Sequence, residues 1–130
     1  MKVYITRRIP DAGVKKLQEK GYEVDISPKD GVLTREELVE ALKAKPYDAV
    51  LSLLTDKIDK DVFAAVPTAK IFANYAVGFD NLNLEDAKAA GVSLTNTPGV
   101  LTEAVAEHTV ALIFAVGRRI VESDRFMRAG

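Results

Sequence analysis

The sequence contains no cysteine and no tryptophan, and neither sign of charge dominates it. Without cysteine there is no disulfide framework, no thiolate nucleophile and no cysteine-ligated zinc site, so we expect no metal site and a reducing, cytoplasmic location. Its 18 basic and 19 acidic residues give a formal net charge of -1. This balance provides no electrostatic basis for binding nucleic acid or an anionic membrane surface, and neither partner is expected.

Long hydrophobic runs and a nucleotide fingerprint are also missing. The longest apolar stretch, near residues 110–116, is far shorter than a membrane span, and residues 1–10 hold too short an apolar run for a signal peptide. No segment matches the glycine-rich GxGxxG turn that binds dinucleotides. We therefore expect a soluble chain, of the usual length for one domain, without its own NAD(P) site.

What the sequence does contain is an alternation of β-branched runs with segments of helical period, which indicates repeated βα units around a parallel sheet. Five units favour an α/β fold of the flavodoxin-like, doubly wound type with strand order 2-1-3-4-5. A long final helix follows, from Thr102 to about Met127. The predicted strands are 2–6, 22–26, 48–53, 70–74 and 92–95, and the predicted helices between them are 10–20, 34–45, 59–65 and 84–90.

Two local signals refine this prediction. Thr34 is followed three residues later by Glu37, the spacing of a capping box at a helix start. In open parallel sheets ligands bind at the carboxyl ends of the strands. We expect that edge to present four segments, namely Arg7 with Arg8, residues 53–56, residues 75–79 and residues 96–99.

The loop after the fourth strand, Asn74 to Asn81, reads NYAVGFDN. A glycine with a small neighbour after a strand allows adjacent backbone N–H groups to face outward, where two of them can hold a carboxylate without a cationic side chain. Val77 and Gly78 are the predicted donors. In the alternative interpretation Gly78 only permits a tight turn, and Asp80 or Asn81 caps the following helix.

This loop, together with NTP at residues 96–98 and AEHTVAL at residues 106–112, resembles the D-isomer-specific 2-hydroxyacid dehydrogenase family, especially its glyoxylate/hydroxypyruvate reductase branch. The resemblance covers the whole chain. It implies a flavodoxin-like substrate domain over residues 1–100 and, over residues 101–130, a helix that crosses to a Rossmann nucleotide domain and helps to form the dimer. The family's NAD(P) site and its catalytic arginine, glutamate and histidine lie in or after that nucleotide domain. We therefore expect a truncated substrate domain with no catalytic residue and no cofactor of its own, inactive alone.

The resemblance also implies roles for individual residues. The backbone N–H groups of Val77 and Gly78 would receive the carboxylate of a small 2-oxo or 2-hydroxy acid. Leu54 and Thr55 would shape the pocket, and Asn74 would support the loop. These five residues form the predicted substrate-binding site.

Two residues of the final helix are candidates for a role outside the substrate site. Val105 occupies the position where the family usually has a small hydroxyl residue near the nicotinamide, so it is the candidate cofactor contact, at a point where this sequence departs from the family pattern. His108 is the only histidine and lies four residues before Leu112, on or beside the apolar stripe. We predict a packed or interface role for it and not an acid–base role.

The final helix also bears on assembly. Its apolar face over residues 102–127 would form an association surface, so we expect a homodimer, with the helix either folded back over the fifth strand or exchanged between chains. The alternative function is a free-standing flavodoxin-like binding or receiver module. A flavodoxin would need a hydroxyl- and glycine-rich loop where this chain has RRIPD at residues 7–11, and a receiver would need an aspartate at the end of the third strand. Both mismatches favour the substrate domain.

Overall fold

The structure, a computed structural model, describes residues 1–130 and contains five strands and six helices. Strands and helices alternate up to β5, and two helices follow. In chain order the elements are β1 (Lys2–Ile5), α1 (Asp11–Glu19), β2 (Glu23–Ile26), α2 (Arg35–Lys43), β3 (Ala49–Ser52), α3 (Lys60–Ala65), β4 (Ile71–Asn74), α4 (Leu84–Ala90), β5 (Ser93–Thr95), α5 (Thr102–Gly117) and α6 (Ile120–Ala129).

The five strands form one parallel sheet in the order β2-β1-β3-β4-β5, which confirms the predicted fold class and strand order. The register places Ser52 of β3 opposite Asn74 of β4, and Ala73 of β4 opposite Thr95 of β5. The carboxyl ends of three neighbouring strands therefore meet at one edge of the sheet. The loops that leave these strands begin side by side.

The core has a part on each face of the sheet, because successive strand residues point to opposite faces. On one face α2, α3 and α4 cover Val50 and Phe72, and Phe63 of α3 packs edge-on against Phe72 with 5.2 Å between ring centroids. On the other face α1 covers Val3 and Ile5. Burial of a side chain such as that of Phe72 stabilises the fold by roughly 1.5–3 kcal/mol. The strands whose ends carry the loops therefore belong to the packed core.

The start of α2 confirms the capping box. The Thr34 hydroxyl oxygen accepts from the Glu37 N–H at 3.2 Å, and the Glu37 carboxylate accepts from the Thr34 N–H at 2.7 Å. Both contacts satisfy N–H groups that a helix start would otherwise leave without a partner. The local pattern was sufficient to locate this helix.

The start of α4 corrects the alternative interpretation of the preceding loop. Its N-cap is Asn83, whose side-chain oxygen accepts from the Asp86 N–H at 3.0 Å. Neither Asp80 nor Asn81 caps the helix. The φ angle of Gly78 is also not among the positive ones, so this glycine is not required for a left-handed turn.

The chain divides into two compact units, Met1–Pro98 and Gly99–Gly130. The second unit is helical as predicted, but the single helix expected over 102–127 is two helices, because the chain turns at Arg118 and Arg119. Arg119 has a φ of 51°, a left-handed conformation that costs a non-glycine residue roughly 1–2 kcal/mol. No helix in the structure has the length and apolarity needed to cross a bilayer.

Candidate functional site

The loop after β4 is anchored by the buried side-chain amide of Asn74, the last residue of that strand. Asn74 is only 2% exposed, and its Oδ1 accepts from the Ser52 hydroxyl at 3.2 Å. Its Nδ2 donates to the carbonyl oxygen of Gly78 at 3.0 Å. Since a buried amide without partners would be strongly destabilising, these contacts fix the path of the loop. Asn74 thus supports the loop structurally, and its contribution to substrate binding stays a prediction.

The orientation of two successive peptide groups in this loop follows from their carbonyl partners. The carbonyl oxygen of Ala76 accepts from the Thr97 N–H at 2.9 Å, and that of Val77 accepts from Nδ2 of Asn96 at 2.8 Å. In a trans peptide the N–H points opposite to the C=O. The N–H groups of Val77 and Gly78 therefore both point away from the segment that follows β5.

These N–H groups have no partner within the chain. No backbone N–H group of residues 76–81 donates a hydrogen bond to a backbone or side-chain acceptor. Val77 is exposed and Gly78 is half-buried. In proteins, two adjacent free donors that face the same way can together hold a small anion, as backbone nests do.

Several apolar side chains belong to the same region as these donors. Leu54 lies in the turn after β3, and its Cδ1 is 3.5 Å from the point that a Cβ on Gly78 would occupy. Tyr75 and Phe79 are also exposed apolar side chains of the same region, and Thr55 is exposed beside Leu54. The structure therefore brings Leu54 next to Gly78 as the predicted site requires, while the binding roles of Leu54 and Thr55 stay predictions.

Two polar residues at this edge were assigned no role in the site from the sequence. Asp56 is buried, and its Oδ2 accepts from the Thr6 hydroxyl at 2.5 Å and from the Leu53 N–H at 2.8 Å. Asn81 donates through Nδ2 to the carbonyl oxygens of Leu53 and Asp56, at 3.1 and 2.9 Å. No local pattern pointed to these contacts, because the partners lie up to 50 positions apart.

The site contains little positive charge. No lysine or arginine occurs in residues 74–82 or 53–56, and the exposed carboxylate of Asp80 has Oδ2 3.9 Å from the Cβ position of Gly78. The backbone N–H groups are therefore the groups of this loop that could attract an anion. Beneath the edge, burial raises the pKa of Tyr4, an effect that the Asp56 carboxylate increases and a hydrogen bond with Ser27 opposes, so this phenol is neutral at physiological pH.

The residues of the chain do not fit a dinucleotide or a metal ion. None of the turns after the strands contains a glycine-rich sequence that would receive a pyrophosphate, and the turn after β1 contains Arg7, Arg8 and Pro10 instead. No group of three His, Asp or Glu side chains is arranged to hold a metal.

In the second unit Val105 and His108 are both exposed on α5, and the Val105 carbonyl oxygen accepts from the Thr109 hydroxyl at 2.7 Å.

Comparison with known proteins adds information on the family. Residues 3–123 match the family model described as "D-isomer specific 2-hydroxyacid dehydrogenase, catalytic domain". The chain is 50% identical over 129 residues to a glyoxylate reductase from Thermofilum pendens, an alignment that covers 99% of this chain and 38% of the relative. The chain therefore spans well under half the length of the curated relatives it matches.

Solved structures support the same relationship. A crystal structure of a protein from Thermus thermophilus superposes with a TM-score of 0.89 at 37% identity, covering all of this chain and 41% of that one. An NAD+-bound 3-phosphoglycerate dehydrogenase from Entamoeba histolytica gives a TM-score of 0.73 at 26% identity, covering 88% of this chain and 38% of that one. The fold and the sequence thus point to the same group of proteins.

Proposed function

The chain belongs to the D-isomer specific 2-hydroxyacid dehydrogenase family, and we propose that it is the substrate-binding part of a glyoxylate reductase-like site that holds the carboxylate of a small 2-oxo or 2-hydroxy acid. Family membership favours this function over a free-standing flavodoxin-like module. The observation that supports it most directly is the shared direction of the Val77 and Gly78 N–H groups, both without a partner in the chain.

A carboxylate has the geometry that these donors require. Its two oxygens can each accept from one of two adjacent N–H groups, and hydrogen bonds to an ionised acceptor are shorter and stronger than neutral ones. Leu54 beside Gly78 would contact the small organic substituent of the acid. Because Asp80 is the nearest charged side chain of the loop and is itself an anion, binding by these residues alone is expected to be weak.

Chemical turnover needs groups that these residues do not supply. Reduction of a 2-oxo acid needs a hydride donor and a proton donor beside the carbonyl, and NAD(P) supplies the hydride in enzymes of this type. The chain has no turn that fits a pyrophosphate, and its only histidine, His108, is exposed on α5 without a carboxylate partner. We therefore assign binding and orientation of the acid to these residues, without turnover on their own.

Thermal unfolding tests the proposal. A ligand that binds only the folded chain raises its stability by about 1.4 kcal/mol at ten times its Kd, which for a chain of this size raises the Tm by a few degrees, roughly 3–8 °C. We expect glyoxylate and hydroxypyruvate to raise the Tm and glycolaldehyde, which lacks a carboxylate, to leave it unchanged. An unchanged Tm with all three compounds would contradict the proposal, as would oxidation of NADH or NADPH by the chain with glyoxylate.

A second copy of the chain is the partner we propose for α5. This helix has no buried residue, and its second half, residues 110–117, contains only apolar residues and a glycine, with Ile113 64% and Phe114 63% exposed. Helices of this composition are normally covered in the working assembly. We expect a dimer through residues 102–127 in sedimentation equilibrium at micromolar concentration, and a monomer for Ile113→Glu. A monomeric parent chain at tens of micromolar would contradict this assembly.

A further inference from the structure

Asn81 lies where the loops after β3 and β4 meet. Its backbone is held by a parallel bridge between Ile58 and Leu82, in which the Ile58 N–H donates to the Asn81 carbonyl oxygen at 2.8 Å. The residue is half-buried, and no sequence pattern marked it as more than a possible helix cap. With its backbone fixed in this way, its side chain is placed between the two loops.

The side-chain amide of Asn81 contacts both loops. Nδ2 donates to the carbonyl oxygens of Leu53 and Asp56 in the turn after β3, at 3.1 and 2.9 Å. Oδ1 accepts at 3.1 Å from Nδ2 of Asn74, which also donates to the carbonyl oxygen of Gly78. Only the NH2 end of an amide can donate to two carbonyl oxygens, so these partners define which way the group is turned.

The turn that Asn81 holds is itself anchored to Thr6, the residue that follows β1. The Asp56 carboxylate accepts from the Thr6 hydroxyl and from the Leu53 N–H, and the Asp56 N–H donates to the Leu53 carbonyl oxygen at 2.9 Å. Leu54 and Thr55 lie inside this turn, between Leu53 and Asp56, whose carbonyl oxygens accept from Asn81. A continuous set of hydrogen bonds therefore runs from Thr6, just after β1, through the Leu54–Thr55 turn and Asn81, to the loop that contains Gly78.

We propose that Asn81 is a positioning residue, which sets the separation between the Leu54–Thr55 wall and the Val77–Gly78 donors without contacting the substrate. The inference rests on the proposed function of this site. It adds a residue that does not contact the substrate. Removing its side chain would let the two loops move relative to each other while every substrate-contacting atom stays present. Such positioning matters because a small displacement of donors from their acceptors weakens hydrogen bonds steeply.

The first test needs no ligand. In ¹⁵N-labelled Asn81→Ala, and in Asn81→Leu, which leaves less empty space, we expect the amide signals of residues 53–56 and of residues 75–80 to change together. The N–H of Tyr75, which donates to the Ser52 carbonyl oxygen at 2.7 Å, should exchange faster with solvent, while the core signal of Val50 stays unchanged. Changes confined to the sequence neighbours of Asn81, with residues 53–56 unmoved, would overturn the proposal.

The second test separates positioning from general destabilisation. Asn83→Ala is the matched control, because it removes the cap of α4 and destabilises the fold without breaking a hydrogen bond to either loop. We expect both Asn81 variants to bind glyoxylate about tenfold more weakly than the parent chain, and Asn83→Ala to bind it as the parent does. Equal affinities for the parent and the Asn81 variants would overturn the proposal, and so would an equal loss in Asn83→Ala.

The two tests also keep the proposals apart. If the parent chain binds no glyoxylate, the proposed function fails. The proposed coupling between the two loops is then tested by the amide signals of the ligand-free Asn81 variants alone.

Discussion

The side-chain amide of Asn96 donates to the backbone carbonyl oxygen of Val77 at 2.8 Å, and this contact determines which way the N–H of Gly78 points. The next carbonyl back, that of Ala76, is held by the backbone N–H of Thr97. The segment after β5 thus orients the peptide groups of the loop after β4. Two strands of the sheet are needed to present one pair of donors.

Asn96→Ala should therefore weaken the binding of glyoxylate. Without the amide, the peptide between Val77 and Gly78 can rotate, and its N–H is no longer directed away from the β5 side. The hydrogen bond is exposed, so we expect stability to fall by only about 0.5–1.5 kcal/mol while affinity falls severalfold. Urea unfolding and a glyoxylate titration measure the two effects. Thr97→Ala keeps the backbone contact and serves as the control, and an equal loss of affinity in both variants would contradict this explanation.

Gly78→Ala should lower affinity without lowering stability, and Gly91→Ala should lower stability without lowering affinity. A Cβ on Gly78 meets Leu54 at an ordinary contact distance of 3.5 Å and needs no left-handed backbone, so the fold should tolerate it. The added methyl group fills space beside the donors and should reduce glyoxylate affinity. Gly91 has a φ of +67°, so alanine there should cost about 1 kcal/mol of stability and leave affinity unchanged. Calorimetry and ligand titration of both variants check this contrast, which would be lost if Gly78→Ala bound normally.

Asp80→Asn should strengthen anion binding. The Asp80 carboxylate is the charged group nearest to Gly78 and repels a carboxylate ligand from an exposed position. Interactions between exposed charges are worth roughly 0.2–1 kcal/mol, so we expect glyoxylate affinity to rise about twofold at low ionic strength. At 1 M salt, where the Debye length is about 3 Å, the gain should disappear. Glu19→Gln, which removes the same charge from the end of α1, should change nothing, and an equal gain there would refute a local effect.

The Arg35–Asp59 pair should make stability depend on pH in the acid range. Burial acts to raise the pKa of Asp59, but hydrogen bonds from Arg35 and from backbone N–H groups outweigh it, and the pKa lies below its ordinary value of 3.8. A lowered folded-state pKa adds stability that is fully present above 3.8 and is lost as the pH falls through the folded value.

Arg35→Gln tests this assignment. We expect it to lower the free energy of unfolding at pH 7 by about 1 kcal/mol, and the difference from the parent chain should shrink as the pH falls below about 4. Arg8→Gln is the control, because its pair with Asp11 is exposed on both sides and should contribute almost nothing. A difference for Arg35→Gln that is constant from pH 7 to pH 2 would argue against the pair.

The parts of the fold that could be predicted from the sequence are those with local causes. The capping box of Thr34 and Glu37 is encoded within four residues, and the strand order follows from the repeated βα pattern and the rules for crossovers. The break at Arg119 was missed because arginine is a good helix former and the left-handed turn has no glycine at that position. Gly117, two residues earlier, was the only warning.

The candidate site shows the same limit. The loop with Val77 and Gly78 could be found from its glycine and from family resemblance. The direction of its N–H groups depends on Asn96, 19 positions away, and the link through Asn81 and Asp56 joins residues 25 positions apart. Contacts of this range are created by the sheet register, so they cannot be predicted from local sequence patterns.

A titration of the ¹⁵N-labelled chain tests the central claim most directly, because it reports on individual N–H groups. With glyoxylate we expect saturable shifts that are largest at the amides of Val77 and Gly78, while signals of α1 on the other side of the sheet stay in place. Glycolaldehyde at the same concentrations should move neither loop amide. Loop amides that do not respond to glyoxylate, or that respond equally to both compounds, would contradict the assignment of a carboxylate site to this loop.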